Sequence, residues 1–195
     1  MIVQNILSAD DYNNLYNLVS GVNFPWYYQP DIAFRGFDEP VQDPRMFPSH
    51  GFTHVVWDCD QGKVSDVLQF VSPIVESFQK QLDVKINNFL RIKINLQTPI
   101  IGFTNDHYNG PHIDRFDPHK TIIYYLNDSD GDTFIFNKEY DPNDKSTWHA
   151  VGPDIKERVT PIANSLYFLE NGFTYHSGSN PVSSPRRITI NINYN

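Results

Sequence analysis

Cysteine, positive charge and long apolar runs are all scarce in this chain. The single cysteine, Cys59, excludes an intrachain disulfide and makes a reducing compartment the default expectation. Lys and Arg number 15 against 23 Asp and Glu and form no dense run, so a general nucleic-acid binder, which needs a basic face, is not expected. The sequence shows neither a membrane-spanning apolar run nor a signal-peptide pattern. We therefore expect a soluble cytoplasmic protein without a membrane partner.

Aromatic residues are abundant, at 14% of the chain, with 11 Tyr and 14 Phe. Such residues pack well on pleated sheets and favour a β-rich fold. From about residue 89 the hydrophobic period is two, in FLRIKINL, TIIYYL, TFIF, SLYFLE and RITININ, with turn signals between these segments. Strands that follow one another without helices predict an antiparallel sandwich or jelly roll.

The first 88 residues carry the helical patterns. A short strand over 2–6 precedes a helix that is predicted to begin after the N-cap Ser8 and to end at Gly21. Residues 22–63 are rich in Pro, Gly and aromatics, and we expect irregular structure with short strands there.

A second helix is predicted over 65–82, where Pro73 interrupts the pattern. Either the helix kinks at Pro73, or Ser72 caps a shorter helix that begins with Pro73. Length and pattern together predict one domain over 1–195, with an N-terminal α/β support (1–88) and a β-rich core (89–195).

The most informative polar motif is His112-Ile113-Asp114. In an extended segment, residues two apart point to the same side, so the imidazole and the carboxylate can converge on one ion. Two histidines and one carboxylate form the facial triad of non-haem iron oxygenases, which leaves metal positions open. The pair alone is weak evidence, because a loop His and Asp that share a hydrogen bond are commoner.

A third ligand has to come from a distant segment, and His176 in FTYHSG is the best candidate. His149, beside Trp148, is its competitor and is more typical of a structural residue. His50 and His54 have the spacing of a zinc pair on a helix, but neighbouring Pro and Gly make a helix doubtful, and a site-edge or structural role is expected instead.

The last strand predicts a polar face and an apolar face. Arg187 and Thr189 lie on the polar face with two asparagines, while isoleucines alternate on the other. A rigid guanidinium with a hydroxyl two residues on is suited to binding a carboxylate. An arginine at a strand end that points into solvent is the commoner case for such a residue taken alone.

Taken together, these parts resemble a known family. The order PHIDRFDPHKTIIYYLND, GDTFIF, SLYFLENGFTYHSG and PRRITININ resembles the Fe(II)/2-oxoglutarate oxygenase superfamily. The likeness is greatest to its prolyl-4-hydroxylase-like branch, including small oxygenases of bacteriophages and marine microbes, for which the host cytoplasm would be the location. It covers roughly residues 89–194 and implies a mainly β fold with N-terminal helices and a double-stranded β-helix (jelly-roll, cupin-like) core.

The resemblance also implies roles for individual residues. His112, Asp114 and His176 would be the iron ligands. Arg187 would pair with the distal carboxylate of 2-oxoglutarate, with Thr189 and Tyr125 as further contacts. Arg186 competes with Arg187, and we choose Arg187 because the ITININ register that follows it matches the family strand.

One position departs from the family. In RIKINL, Leu96 stands where prolyl hydroxylases often carry a tyrosine, which leaves one cosubstrate contact unassigned.

The implied activity is a 2-oxoglutarate-dependent dioxygenase that uses Fe(II), 2-oxoglutarate and O₂, with ascorbate as a candidate further cofactor. It would hydroxylate a small molecule or a peptide, prolyl or other amino-acid side chains included, and release succinate and CO₂. A carboxylate at Asp114 leaves no metal vacancy for halide, so hydroxylation is expected rather than halogenation. Specificity is expected to lie in the loops 22–63, 97–111 and 138–147. The sequence does not predict the oligomeric state.

Two alternatives remain at this stage. The first is a jelly-roll binding module with a structural metal or none, in which the aromatics of FPWYYQP form a ligand platform. The second is a cupin-like metal enzyme that does not use 2-oxoglutarate. Neither needs a carboxylate-binding Arg187.

Overall fold

Two antiparallel sheets and two α-helices make up the regular structure in residues 1–32, 43–47, 49–141, 143 and 154–195, which the computed structural model describes. In chain order the elements are β1 (Ile2–Gln4), α1 (Ala9–Ser20), β2 (Tyr27–Gln29), β3 (Gly51–Asp58), β4 (Gly62–Lys63), α2 (Leu68–Leu82), β5 (Phe89–Gln97), β6 (Lys120–Tyr125), β7 (Thr133–Glu139), β8 (Ile155–Val159), β9 (Ser165–Leu169), β10 (Thr174–Gly178) and β11 (Arg187–Tyr194).

The main sheet has the strand order β1-β9-β6-β11-β5-β3-β2, and β4 pairs with β3. Strands from before residue 89 therefore extend the same sheet as the later strands. The last strand, β11, lies between β5 and β6 and pairs antiparallel with both. The chain thus returns at its end to the middle of the sheet, which is a non-local pairing of jelly-roll type.

The second sheet is smaller, with the order β10-β7-β8. An isolated antiparallel bridge joins His112 to His176 of β10. The two residues exchange both backbone hydrogen bonds, at 2.9 and 3.0 Å. The segment that carries the His-x-Asp motif is thereby fixed to the edge of the small sheet.

Alternation along the central strands gives the main sheet two different faces. On β11, Ile188, Ile190 and Ile192 are buried in the large core cluster, which also contains Leu15 of α1 and Ile74 of α2. The residues between the isoleucines face the small sheet. The predicted fold class, mainly β with N-terminal helices and a jelly-roll core, is confirmed.

The first helix has the predicted ends. Ser8 is its N-cap and accepts a hydrogen bond from the backbone of Asp11, and Gly21 is its C-cap. In the second helix Pro73 lies inside the helix, and Ser72 donates from its hydroxyl to the Leu68 carbonyl 2.9 Å away. The alternative with Ser72 as cap is therefore wrong. Pro73 has no backbone N–H to donate within the helix. The packing of the buried α2 side chains in the core stabilises the helix at this point.

The expectation of irregular structure over 22–63 was wrong for one part. β3 spans eight residues there and pairs with β5 over most of its length. Its aromatic and β-branched residues suit a strand, but the Pro and Gly that flank it obscured the pattern. Among the described residues, no helix is long and apolar enough to cross a membrane.

Asn164 ties the N-terminal segment to the jelly roll. Its side chain accepts from the Leu7 backbone N–H at 2.8 Å and donates to the Leu7 carbonyl at 3.0 Å. The Tyr124 hydroxyl donates to the same side chain at 3.0 Å. Its backbone is left-handed, with φ of 57°, which Asn tolerates better than most residues.

We therefore expect Asn164→Ala to lower the free energy of unfolding by about 2–4 kcal/mol, the sum of three modest hydrogen bonds. Urea unfolding followed by circular dichroism measures this difference. Asn14→Ala, at an exposed position of α1, is the matched control and should change stability by less than about 0.5 kcal/mol. Equal stability of the two variants would contradict the role given to Asn164.

Candidate metal centre

His112, Asp114 and His176 converge on one point. One ligand atom from each lies within 4.8 Å of the others. The bridge between the two histidine backbones sets their rings side by side, with centroids 4.8 Å apart. Asp114 follows two residues after His112, and its Oδ2 lies 3.6 Å from Nε2 of His176. The same-side placement that the spacing predicts is present.

Both imidazole rings present Nε2 as the atom available to bind a metal. Nδ1 of His112 lies 3.0 Å from the Gly110 carbonyl, and Nδ1 of His176 lies 3.2 Å from the Thr174 carbonyl. A carbonyl only accepts, so the ring proton is on Nδ1 and the Nε2 lone pair is available. Nε2 of His176 is buried and has no hydrogen-bond partner among the described residues. A metal ion would satisfy this atom, and the donor set fits a divalent transition metal.

Asp114 is buried as an ion and is held by side chains of the main sheet. Arg91 donates to Oδ1 at 2.7 Å, and Asn193 donates to Oδ2 at 2.9 Å. Burial by itself would raise the pKa of Asp114, but its polar and charged neighbours, the Arg91 guanidinium among them, outweigh burial and hold that pKa well below its usual range. The carboxylate is therefore ionised at neutral pH, as a metal ligand must be.

Arg187 is buried and bonded only to neutral oxygens. It donates to the Gly131 carbonyl at 2.8 Å, to Gln97 at 2.7 Å and to the Thr133 hydroxyl at 2.8 Å. The Tyr125 hydroxyl donates to the same Thr133 oxygen at 2.9 Å. Burial lowers the pKa of Arg187, yet a guanidinium stays charged in proteins. A buried cation without a carboxylate among these contacts is suited to binding an anion.

Two glycines leave room for this guanidinium. A Cβ on Gly178 would lie 3.1 Å from one terminal nitrogen of Arg187. A Cβ on Gly131 would lie 2.9 Å from Arg187 Cδ and 2.7 Å from the Ser179 carbonyl. The contacts at Gly131 are shorter than real Cβ atoms show, and the contact at Gly178 is tighter than most, so the absence of side chains at these positions leaves room for the guanidinium.

One pocket joins the triad to Arg187. Its floor is the polar face of the main sheet, and its wall is β10. Apolar side chains come from Ile32 and Ile123, and the rest of the lining is mostly polar: Lys93, Asn95, Gln97, Asn109, His112, Asp114, Thr133, His176, Ser177, Gly178, Arg187, Thr189 and Asn191. Thr189 thus lies in the pocket with Arg187, whereas Tyr125 meets Arg187 through Thr133.

Among the described histidines, His50 and His54 do not join the triad. His54 is in strand β3, buried, and within hydrogen-bond distance of the Pro25 carbonyl (3.0 Å) and the Ser65 hydroxyl (2.8 Å). The helical zinc pair with His50 is therefore excluded, and His54 has the buried, hydrogen-bonded surroundings of a structural residue. His149 lies outside the described residues.

The aromatic platform divides into two parts. Phe24 is buried and Trp26 packs against the large core. Tyr27 and Tyr28 are exposed.

No protein-family model matches the chain, and no curated protein is similar to it in sequence. Solved structures do match in fold. A 2OG-Fe(II) oxygenase family oxidoreductase from Burkholderia pseudomallei has a TM-score of 0.62 at 12% identity, over 100% of this chain and 84% of that chain. A Pseudomonas putida prolyl-4-hydroxylase has a TM-score of 0.55 at 14% identity, over 100% and 90%.

A prolyl hydroxylase from Trichoplax adhaerens, in complex with a hypoxia inducible factor peptide fragment, has a TM-score of 0.55 at 16% identity, over 100% of this chain and 77% of that chain. The chain has the fold of a 2-oxoglutarate–Fe(II) oxygenase. The order of motifs predicted a likeness to this superfamily and to its prolyl-4-hydroxylase-like branch. The matching structures, which include prolyl hydroxylases, confirm that likeness in fold.

Within this oxygenase fold the two arginines at the start of β11 point to opposite sides: Arg186 directly precedes the strand and Arg187 is its first residue. Arg186 donates to the Tyr16 hydroxyl at 2.8 Å and lies over the same ring, against α1. Arg187 points into the pocket. The choice between them made from the register of ITININ agrees with this geometry.

Leu96 does not line the pocket of this chain. It pairs with Ile188 and packs against the large core, while its neighbours Asn95 and Gln97 line the pocket. Leu96, which stands where prolyl hydroxylases often carry a tyrosine, therefore faces away from the pocket. Sequence reasoning missed Gln97 and Thr133, although the alternation of RIKINLQ places Gln97 on the same face as Asn95.

The pH dependence of stability reports on His112. Burial, reinforced by the nearby His176, lowers the pKa of His112 to about 4 from 6.5. Between these values the unfolded chain binds a proton that the folded chain does not. The free energy of unfolding of the metal-free protein should therefore fall as the pH is lowered through this window, by up to about 1.4 kcal/mol per pH unit from this residue.

Urea unfolding in the presence of a chelator at several pH values between about 7 and about 4.5 measures this slope. In His112→Gln the free energy of unfolding should depend less steeply on pH, by up to the contribution of one bound proton. His119, whose pKa burial also lowers, contributes equally to both proteins. A slope that the substitution leaves unchanged would show that His112 titrates normally.

Proposed function

We propose that the chain is an Fe(II)- and 2-oxoglutarate-dependent dioxygenase in which His112, Asp114 and His176 hold the iron. The observation that carries this proposal is the coexistence, in one pocket, of three convergent ligand atoms and a buried arginine bonded to neutral oxygens. A structural metal site needs no such cation. The fold of the oxygenases supports the same reading.

Bound iron and 2-oxoglutarate supply the oxidising chemistry: substrate C–H, O₂ and 2-oxoglutarate become substrate C–OH, succinate and CO₂. His112, Asp114 and His176 would hold the ion and leave positions for small molecules. Asp114 would occupy the position that halide would otherwise need, so we propose hydroxylation.

Arg187 is proposed to bind the distal carboxylate of 2-oxoglutarate. Three of its five N–H groups are used by Gly131, Gln97 and Thr133, and two remain for an anion. The Thr133 hydroxyl accepts from both Tyr125 and Arg187, so its own proton is free to be donated into the pocket. Thr189, two residues after Arg187 on the same face of β11, adds a second hydroxyl.

The substrate is proposed to be a polar small molecule or an amino-acid side chain of a peptide, prolyl residues included. Lys93, Asn95, Asn109 and Asn191 give the pocket many hydrogen-bonding groups, and the described lining contains no aromatic carbocycle on which an aromatic substrate could stack. The peptide complex of the Trichoplax adhaerens enzyme shows that this fold admits a peptide.

The first test is anaerobic titration of the protein with Fe(II) and 2-oxoglutarate. We expect a visible charge-transfer band, together with succinate formation when O₂ is admitted. Asp114→Ala should lose both, because one of three ligands is missing. Asp117→Ala, which removes a nearby exposed carboxylate, should retain both. A folded, metal-bound wild-type protein without the band would favour a binding module instead.

The second test separates the two arginines. Arg187→Met should weaken 2-oxoglutarate binding by roughly 10- to 100-fold, the value of charge-assisted hydrogen bonds worth about 1.5–3 kcal/mol. Arg186→Met loses the same charge from the adjacent position on the opposite face and should bind 2-oxoglutarate like wild type. Calorimetry with Mn(II)-loaded protein measures both affinities. The reverse order would transfer the role to Arg186.

A further inference from the structure

Three side chains form one row across the main sheet beneath the triad. Asn193 of β11 pairs in register with Arg91 of β5 on one side and with Thr121 of β6 on the other. Residues paired in this way project from the same face of a sheet. All three reach Asp114, which comes from the segment between the sheets.

The two carboxylate oxygens of Asp114 have different partners in this row. Oδ1 accepts from the guanidinium of Arg91 at 2.7 Å. Oδ2 accepts from Asn193 at 2.9 Å and from the Thr121 hydroxyl at 3.4 Å. Oδ2 is also the oxygen that lies 3.6 Å from Nε2 of His176. One oxygen is thus bound by the arginine, and the other lies toward His176.

The position of Asp114 is consequently not set by its own loop alone. Its side chain is 3% exposed and that of Arg91 is 18% exposed, so both charges are largely out of water. Asn193 is itself fixed, because its amide also donates to Thr121 at 2.9 Å. A carboxylate bonded from three strands has little freedom to rotate.

We propose that Arg91 is a positioning residue of the metal centre: it occupies Oδ1 of Asp114, so that the carboxylate offers the metal one oxygen instead of two. This inference rests on the proposed function, since it assumes that Asp114 is a ligand. A carboxylate that bound through both oxygens would take a position that 2-oxoglutarate or O₂ requires. Arg91 keeps that position open.

Charge and geometry predict opposite effects of removing Arg91. As a mere positive charge near the metal, Arg91 would oppose the binding of a cation, and its loss would tighten binding. As a positioning residue it orients the ligand, and loss of such a contact to a ligand typically weakens metal binding by about 10- to 100-fold. The sign of the change therefore decides between the two roles.

The experiment is a titration of the full-length protein with Co(II), followed by calorimetry and by the visible Co(II) spectrum. Arg91→Met should bind Co(II) at least 10-fold more weakly and with a changed spectrum, and Arg91→Lys should lie between it and wild type. Arg115→Met is the control: it removes the same charge next to Asp114 in sequence, but its partner is Asp117, 2.6 Å away. It should bind Co(II) like wild type.

Equal or tighter binding by Arg91→Met, with an unchanged spectrum, would overturn the inference and leave the proposed function intact. Should Arg91→Met fail to fold, Arg91→Lys decides: wild-type affinity and spectrum overturn the inference, and weaker binding with a changed spectrum supports it. Wild-type protein that does not bind Co(II) would overturn the metal centre and the role of Arg91 together.

Discussion

Because successive residues of a strand point to opposite sides of a sheet, β5, β6 and β11 each face two environments. One face meets the helices through isoleucines such as Ile92, Ile122 and Ile190, all fully buried. The other face meets the small sheet and carries arginine, lysine, amides and hydroxyls. Everything in the candidate site is built on or against this second face, so the site depends on the strict alternation of the central strands.

A polar face buried between two sheets is costly unless its groups are paired. The two ends of the pocket solve this differently. Asp114 is already neutralised by Arg91 and hydrogen-bonded by Asn193, which keeps a carboxylate ionised in a buried place. The hydrogen bonds of Arg187 all go to neutral acceptors, so no carboxylate among the described residues is bonded directly to its guanidinium. A carboxylate directly paired with a cation and a guanidinium not directly paired with an anion give the pocket two different ends, the proposed metal site and the proposed anion site.

The backbone bridge between His112 and His176 connects this polar face to the small sheet. It brings together two residues far apart in the chain by ordinary strand pairing. The same architecture is found in oxygenases that share only 12–16% of their residues with this chain. The fold therefore follows the pattern of alternation and pairing more closely than it follows the identity of individual residues.

The sequence by itself determined the β-rich class, most of the strands after residue 89, both ends of α1, and the common face of Arg187, Thr189 and their neighbours. These properties depend on local periodicity and capping, which are written in consecutive residues. It did not determine that β3 extends the main sheet, because Pro and Gly at its flanks obscured it. Nor did it show that Leu96 faces away from the pocket.

Only the tertiary structure decided which faces meet. Alternation places Arg91 and Gln97 on one side of β5, but their partners Asp114 and Arg187 come from segments 23 and 90 residues away. Periodicity tells which residues share a face and is silent on what that face contacts. Contacts of this kind depend on the order of strands in the sheet, which is fixed by the packing of the whole chain.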